Sequence, residues 1–216
     1  MLVKYKLPKT ILWVTNLLVL FFAIFTLFRL ATFFAFKPGH VTFADVIPSF
    51  LMGIQYHMRW ISIILLPIVL CSIVPRLTPF YSSRNKALWT GYLVFITFLV
   101  FFFFAADMGS FSYNQTRLDA GAMNFVEDPG ISVRMMWQTY PLFWMLLGLV
   151  VAVLLFRWMY FKSHWHIITR TDGHKIPHRR KYFIIVSIIL LFFIWGRFAL
   201  QPLSPKACLT LNGSYS

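Results

Sequence analysis

Five long apolar segments, separated by gaps whose charge alternates, restrict this chain to very few folds. The first eighteen residues of the first segment, Ile11 to Phe28, hold no charged side chain. Lipid offers no partner to backbone N–H and C=O groups, so a spanning segment must satisfy them internally, as a helix does. About 20 apolar residues in a helix cross a hydrocarbon core about 30 Å thick. The segments cover residues 11–35, 60–74, 88–106, 141–156 and 182–198. The pattern predicts an all-α membrane protein with five transmembrane helices and short amphipathic helices on the outer surface. Charged residues are 12% of the chain, about half the share usual in soluble domains, and the mean hydropathy is +0.72.

The gaps give an orientation. Lys4, Lys6 and Lys9 precede the first segment; Arg76, Arg84 and Lys86 follow the second; Arg157, Lys162, Arg170, Lys175, Arg179, Arg180 and Lys181 follow the fourth. These thirteen of twenty basic residues are accompanied by one acid, Asp172, whereas the remaining seven lie in the other gaps or near the adjoining ends of the segments, with five acids. Cytoplasmic loops retain Lys and Arg, so the N-terminus is expected inside and the C-terminus outside. The net charge of +14 follows from this topology and from attraction to anionic lipid. With no charged domain outside the membrane to form a binding face, nucleic acid is not an expected partner. Trp60, Trp89, Tyr92, Trp137, Tyr140, Trp158, Tyr160, Tyr182 and Trp195 cluster near segment ends, as an aromatic belt does.

The basic N-terminus resembles a signal-peptide n-region, but the apolar run behind it is too long and ends without a small-x-small site. An uncleaved first helix is expected. The second segment, Trp60 to Val74, spans only about 23 Å as a helix. Upstream, Phe43, Val46, Ile47, Phe50, Leu51 and Ile54 recur at helical spacing. This reads as an interfacial amphipathic helix leading into the span, with Pro48 kinking it or delaying its start. In the long outer loop, Asn114 can cap a short helix carrying Leu118, Ala122 and Phe125. Asp128-Pro129 reads as a second start, followed by Val133, Met136, Trp137 and Tyr140 along one face. The tail 200–216 reads as the start of a linker to an external domain.

Catalytic constellations are absent from the sequence. His164, His166, His174 and His178 share one basic stretch, but their spacing fits no compact metal site and the positive surroundings repel a cation. A solvated cytoplasmic loop is the expectation there. Cys71 and Cys208 form no framework. Arg29, near the outer end of the first segment, reads as a side chain snorkelling to the interface, with a lipid phosphate as the functional alternative. Ionisable residues within the spans normally mark transport paths, and their scarcity argues against an ion-coupled transporter. The remaining polar candidates are external: Asp107, Tyr113, Arg117, Arg134 and Trp137 could meet a lipid headgroup or dock a domain. Arginine grips phosphate through paired hydrogen bonds. Helix capping and pairing with Asp119, Glu127 and Asp128 is the competing account.

The stretch Phe50 to Trp60, FLMGIQYHMRW, is similar to the Phe-x-x-Gly-Leu-Arg-Phe-Asp pattern of lipoteichoic acid synthase-like proteins, the wider sulfatase and phosphoglycerol transferase family. Gly53 and Tyr56 match; His57 stands where Asp is usual and Gln55 where Arg is common, so no headgroup role is carried onto that site. Asp107, Phe111 or Tyr113, Arg117-Leu118, Trp137 and Tyr140-Pro141 resemble the family's outer loop, and GRFALQPLSP resembles its exit segment. The resemblance covers nearly the whole chain through short motifs. It implies a bacterial-type cytoplasmic membrane and a membrane-anchoring, lipid-presenting module. It also implies a following extracellular catalytic domain with a divalent, manganese-like metal. That domain is not in these residues, so no catalytic residue and no cofactor is assigned to this chain, which by itself is expected to be inactive. The expected partners are membrane lipids and that domain. An independent small transporter or a subunit of a membrane complex is the alternative.

Overall fold

The computed structural model describes residues 7–36, 43–114, 130, 134, 137–138, 142–170 and 179–195, with the side chains of 36, 43–50, 111–114 and 170 left aside. Among the described residues there is no strand. Five long helices follow in order: α1 (Lys9–Phe36), α2 (Phe43–Cys71), α3 (Ser83–Asn114), α4 (Leu142–Arg170) and α5 (Arg179–Trp195), with a 3₁₀ turn at Pro75–Leu77 between α2 and α3. Four are long and apolar enough to cross a membrane, over Lys9–Ala35, Leu51–Cys71, Ser83–Ser110 and Leu142–Thr169. The described part of α5 has 17 residues, about 26 Å at helical rise.

Three segments differ from the sequence expectation. Helix α2 runs unbroken over Phe43–Cys71, and its stretch Leu51–Cys71 is long and apolar enough to cross a membrane, a longer stretch than the apolar run 60–74. Fifteen residues are too few for the hydrocarbon core, and α2 gains the missing length upstream in one continuous helix. Arg59 therefore lies within this helix instead of before it. Pro48, the sixth residue of α2, forfeits one bond in the second turn without delaying the helix start. Helix α3 continues to Asn114, so the third apolar segment is extended at both ends. Leu118, Ala122 and Phe125 lie outside the described residues. Helix α4 runs on from the fourth apolar segment to Arg170, which puts Arg157, Lys162, His164 and His166 on a helix, not in a solvated loop. The charges near that end stay tolerable because Lys162 lies over the Trp158 ring at 4.8 Å and Arg157 over Phe161 at 5.8 Å.

The chain forms two compact units, Met1–Trp89 with Ser163–Ser216, and Thr90–Lys162. In the first, α2 packs against both α1 and α5. Trp13, Leu17, Phe21 and Ile24 are buried along one stripe of α1, Ile61, Leu65 and Ile68 along α2, and Phe183, Ser187 and Leu190 along α5. Gly53, Ser62 and Ser187 are the small residues in these buried rows. Lipid supplies no hydrophobic drive between spans, so close backbone approach at small residues matters more than apolar bulk. Arg179 at the start of α5 donates from Nη2 to the Ser72 carbonyl at 3.1 Å, just past the end of α2, with its guanidinium 5.1 Å from the Phe183 ring. Its positive charge complements the negative end of the α2 dipole. Partial burial pulls this guanidinium below its usual range, yet an arginine remains protonated in a protein.

The connection after α2 is held by side chains. The Asn85 amide donates to the carbonyls of Arg76 at 2.6 Å and Thr78 at 3.1 Å, and Trp89 Nε1 donates to Leu77 at 2.9 Å. Ser82 caps α3 by accepting from the Asn85 backbone N–H at 3.2 Å. In the second unit α3 and α4 meet through Phe101 and Phe156, with ring centroids 5.4 Å apart, and through the buried pair Thr97 and Tyr160. Elsewhere these helices expose Phe95, Phe102, Phe103, Leu146, Val150 and Leu154. In the most apolar stretch of α4 only 6% of residues are buried, against 33% for α1 and α2. An apolar surface that large demands lipid or another apolar partner.

Candidate functional site

The residues singled out in the outer loop are spread along the second unit. Asp107 is half-buried on α3. Tyr113 belongs to the last turn of α3 by its backbone, and Arg117 lies outside the described residues. Arg134 and Trp137 are helical and exposed, as are Gly130 and Gln138. That conformation agrees with a helix following Asp128-Pro129, and the spacing of three puts Arg134 and Trp137 on one side of it.

A tighter constellation lies between α1 and α2. Arg29 is twenty residues beyond Lys9 on α1, so about 30 Å along the helix axis. That separation matches the thickness of a hydrocarbon core. The Arg29 guanidinium rests on Gly53 of α2: a Cβ at that position would overlap Nη1, Cζ and Nη2. Gly53 is buried and Arg29 partly exposed. One turn deeper on α2, His57 stacks on Phe25 with centroids 5.4 Å apart and meets Phe22 edge-on at 6.4 Å. The Arg29 charge acts on His57, whose Nδ1 is buried with no hydrogen-bond partner. A cationic fork on a helix notch, with an imidazole below it, suits an anion bearing several oxygens.

These residues come from segments that the sequence presents separately. Arg29 reads there as a snorkelling side chain, and Gly53 and His57 as parts of a motif. The signal that links them is positional: α1 and α2 are consecutive spans, so the late residues of one face the early residues of the next. Recognising the pair required the start of helix α2, which lies well upstream of the apolar run.

A second buried cluster occupies the opposite end of α1. His164 is 4% exposed, stacks on Phe80 with centroids 4.3 Å apart and planes within 6°, and stands edge-on to Trp13 at 6.0 Å. Its Nε2 is 3.4 Å from the Pro79 carbonyl. Nearby, the Asn16 amide donates to Ser163 Oγ at 3.4 Å. His164 is thus a packed interhelical residue, whereas His166 is exposed and His174 and His178 lie outside the described residues. Among the described residues, no three His, Cys, Asp or Glu side chains gather as a metal-binding group. No family model, curated protein or solved structure matches this chain.

Proposed function

We propose that this chain is the membrane-anchoring and lipid-presenting module of a lipoteichoic acid synthase-like phosphoglycerol transferase or sulfatase. The observation that carries the reading is the sequence likeness of the outer stretch Asp107 to Pro141, together with Gly53 and Tyr56 before the second span. Four apolar helices of spanning length support the membrane part. In this reading α5 continues through Phe198 as a fifth span. The N-terminus is then cytoplasmic, and the end of the chain lies outside a bacterial-type cytoplasmic membrane. An extracellular metal-dependent domain follows; its divalent metal and its nucleophile belong to that domain. Asp107, Tyr113, Arg117, Arg134 and Trp137 then sit at headgroup height, where they support the domain or meet its lipid substrate.

Alkaline phosphatase fused after Ser216 is expected to be active, since it folds only outside the cytoplasm. An inactive fusion alongside a fluorescent cytoplasmic reporter at the same position would overturn the orientation. The family assignment has its own check in the coding sequence past Ser216, where an in-frame phosphatase-like domain is expected. The extensive exposed apolar face of α4 favours, as a second reading, a subunit of a larger membrane complex. Stable co-purification of a second membrane protein, lost on placing charges along that face, would favour it over the anchor.

A further inference from the structure

We propose that Arg29, seated on Gly53 with His57 a turn below, binds the phosphate of an anionic membrane lipid. The inference rests on the lipid-presenting reading above and assigns it a site in α1 and α2, away from the outer loop. Three observations converge on it. Arg29 stands about 30 Å from Lys9 along α1, which is headgroup level on the opposite face. The missing Cβ of Gly53 lets the guanidinium lie directly on α2, so its planar fork is held in place at little further entropic cost on binding. His57 Nδ1, buried without a partner, supplies a second nitrogen able to donate as the Nδ1–H tautomer of a neutral imidazole.

Charge and surroundings choose the ligand. Residues 9–36 and 51–71 contain Lys9, Arg29, His57 and Arg59 but no Asp or Glu. The single acid of α2, Asp45, is eight residues before Gly53, about 12 Å along the axis. This part of the helix pair is net positive, which an anion complements. Leu27 on α1 and Leu51 and Ile54 on α2 are exposed on the same two helices, at 64%, 60% and 42%. Apolar side chains beside a cation match acyl chains beside a phosphate. A free inorganic anion would gain nothing from them.

Gly53→Ala provides a clean test. Alanine is favoured over glycine inside a helix, and the atoms it would displace are the far end of a flexible side chain. The variant should fold at least as well as the wild type while evicting the guanidinium. The full chain is reconstituted in phosphatidylcholine vesicles carrying a minor fraction of phosphatidic acid, extracted gently, and scored for retained phosphatidic acid by native mass spectrometry. Gly53→Ala and Arg29→Gln are each expected to cut retention about tenfold, the loss of a charge-assisted contact. Arg29→Lys should fall between them and the wild type, because it keeps the charge and loses the fork. Unchanged retention in a folded Gly53→Ala protein overturns the proposal and leaves Arg29 a snorkelling side chain. Displacement of the lipid by millimolar inorganic phosphate overturns its lipid specificity. Neither result depends on the orientation of the C-terminus or on a following domain, so failure here is distinct from failure of the anchor reading.

Discussion

At the scale of single residues, the buried polar side chains reveal how this protein manages hydrogen bonding within its helices. Thr97 donates its hydroxyl proton to the Leu93 carbonyl at 2.7 Å, so the shared bond with Tyr160 must run from the tyrosine O–H to Thr97 Oγ. Both side chains are almost fully buried. The two substitutions should therefore differ in cost. Tyr160→Phe removes a donor and leaves Thr97 bonded to its own helix; the expected loss is about 0.6 kcal/mol, typical of a polar pair between membrane helices. Thr97→Val removes the acceptor facing a buried phenol and should cost more, about 1–3 kcal/mol. Denaturant unfolding of the reconstituted chain measures both, and equal losses would refute the assigned donor direction. Arg29 and Gly53 make the complementary point. Glycine is used there for the room it leaves to a side chain of another helix, and the sequence of either helix alone gives no sign of it.

At the scale of elements, most helices were legible, but their ends were not. Hydropathy marks where a helix is greasy, while backbone hydrogen bonding decides where it stops. Helix α4 outlasts its apolar run because Arg157 and Lys162 lie against aromatic rings and His164 finds a buried stack with Phe80. Helix α2 starts earlier than its apolar run because a span has a minimum length. The connection between α2 and α3 reads in sequence as a short basic loop, yet Asn85 and Trp89 tie it down through three backbone carbonyls. Asn85→Ala removes two of those bonds at an expected cost of about 1 kcal/mol. Limited trypsin digestion should then cut faster at Arg76 and Arg84, without faster cutting at Arg134. An unchanged cleavage rate would mean that Trp89 and the Ser82 cap hold the turn alone.

For the whole molecule, the alternating charge makes one prediction that needs no further structure. In a background lacking Cys71 and Cys208, a cysteine replacing exposed Arg134 should react with an impermeant maleimide in intact cells. One replacing exposed Ser83 should react only after the membrane is opened. Labelling of both in intact cells, or the reverse pattern, would overturn the orientation. The exposed apolar surface of α3, α4 and α5 belongs to this scale too, since such faces require lipid or a protein partner to be stable in water.

The amino-acid sequence by itself determined the solvent, the helical class and the rhythm of the spans. These follow from transfer free energies and backbone satisfaction, which act on each segment separately. Only the tertiary structure decided which polar groups meet: Arg29 with Gly53, His164 with Phe80 and Trp13, and Thr97 with Tyr160. The partners lie on different elements, 24, 84, 151 and 63 residues apart in the chain. Their meeting depends on helix length and register, and a local pattern carries neither.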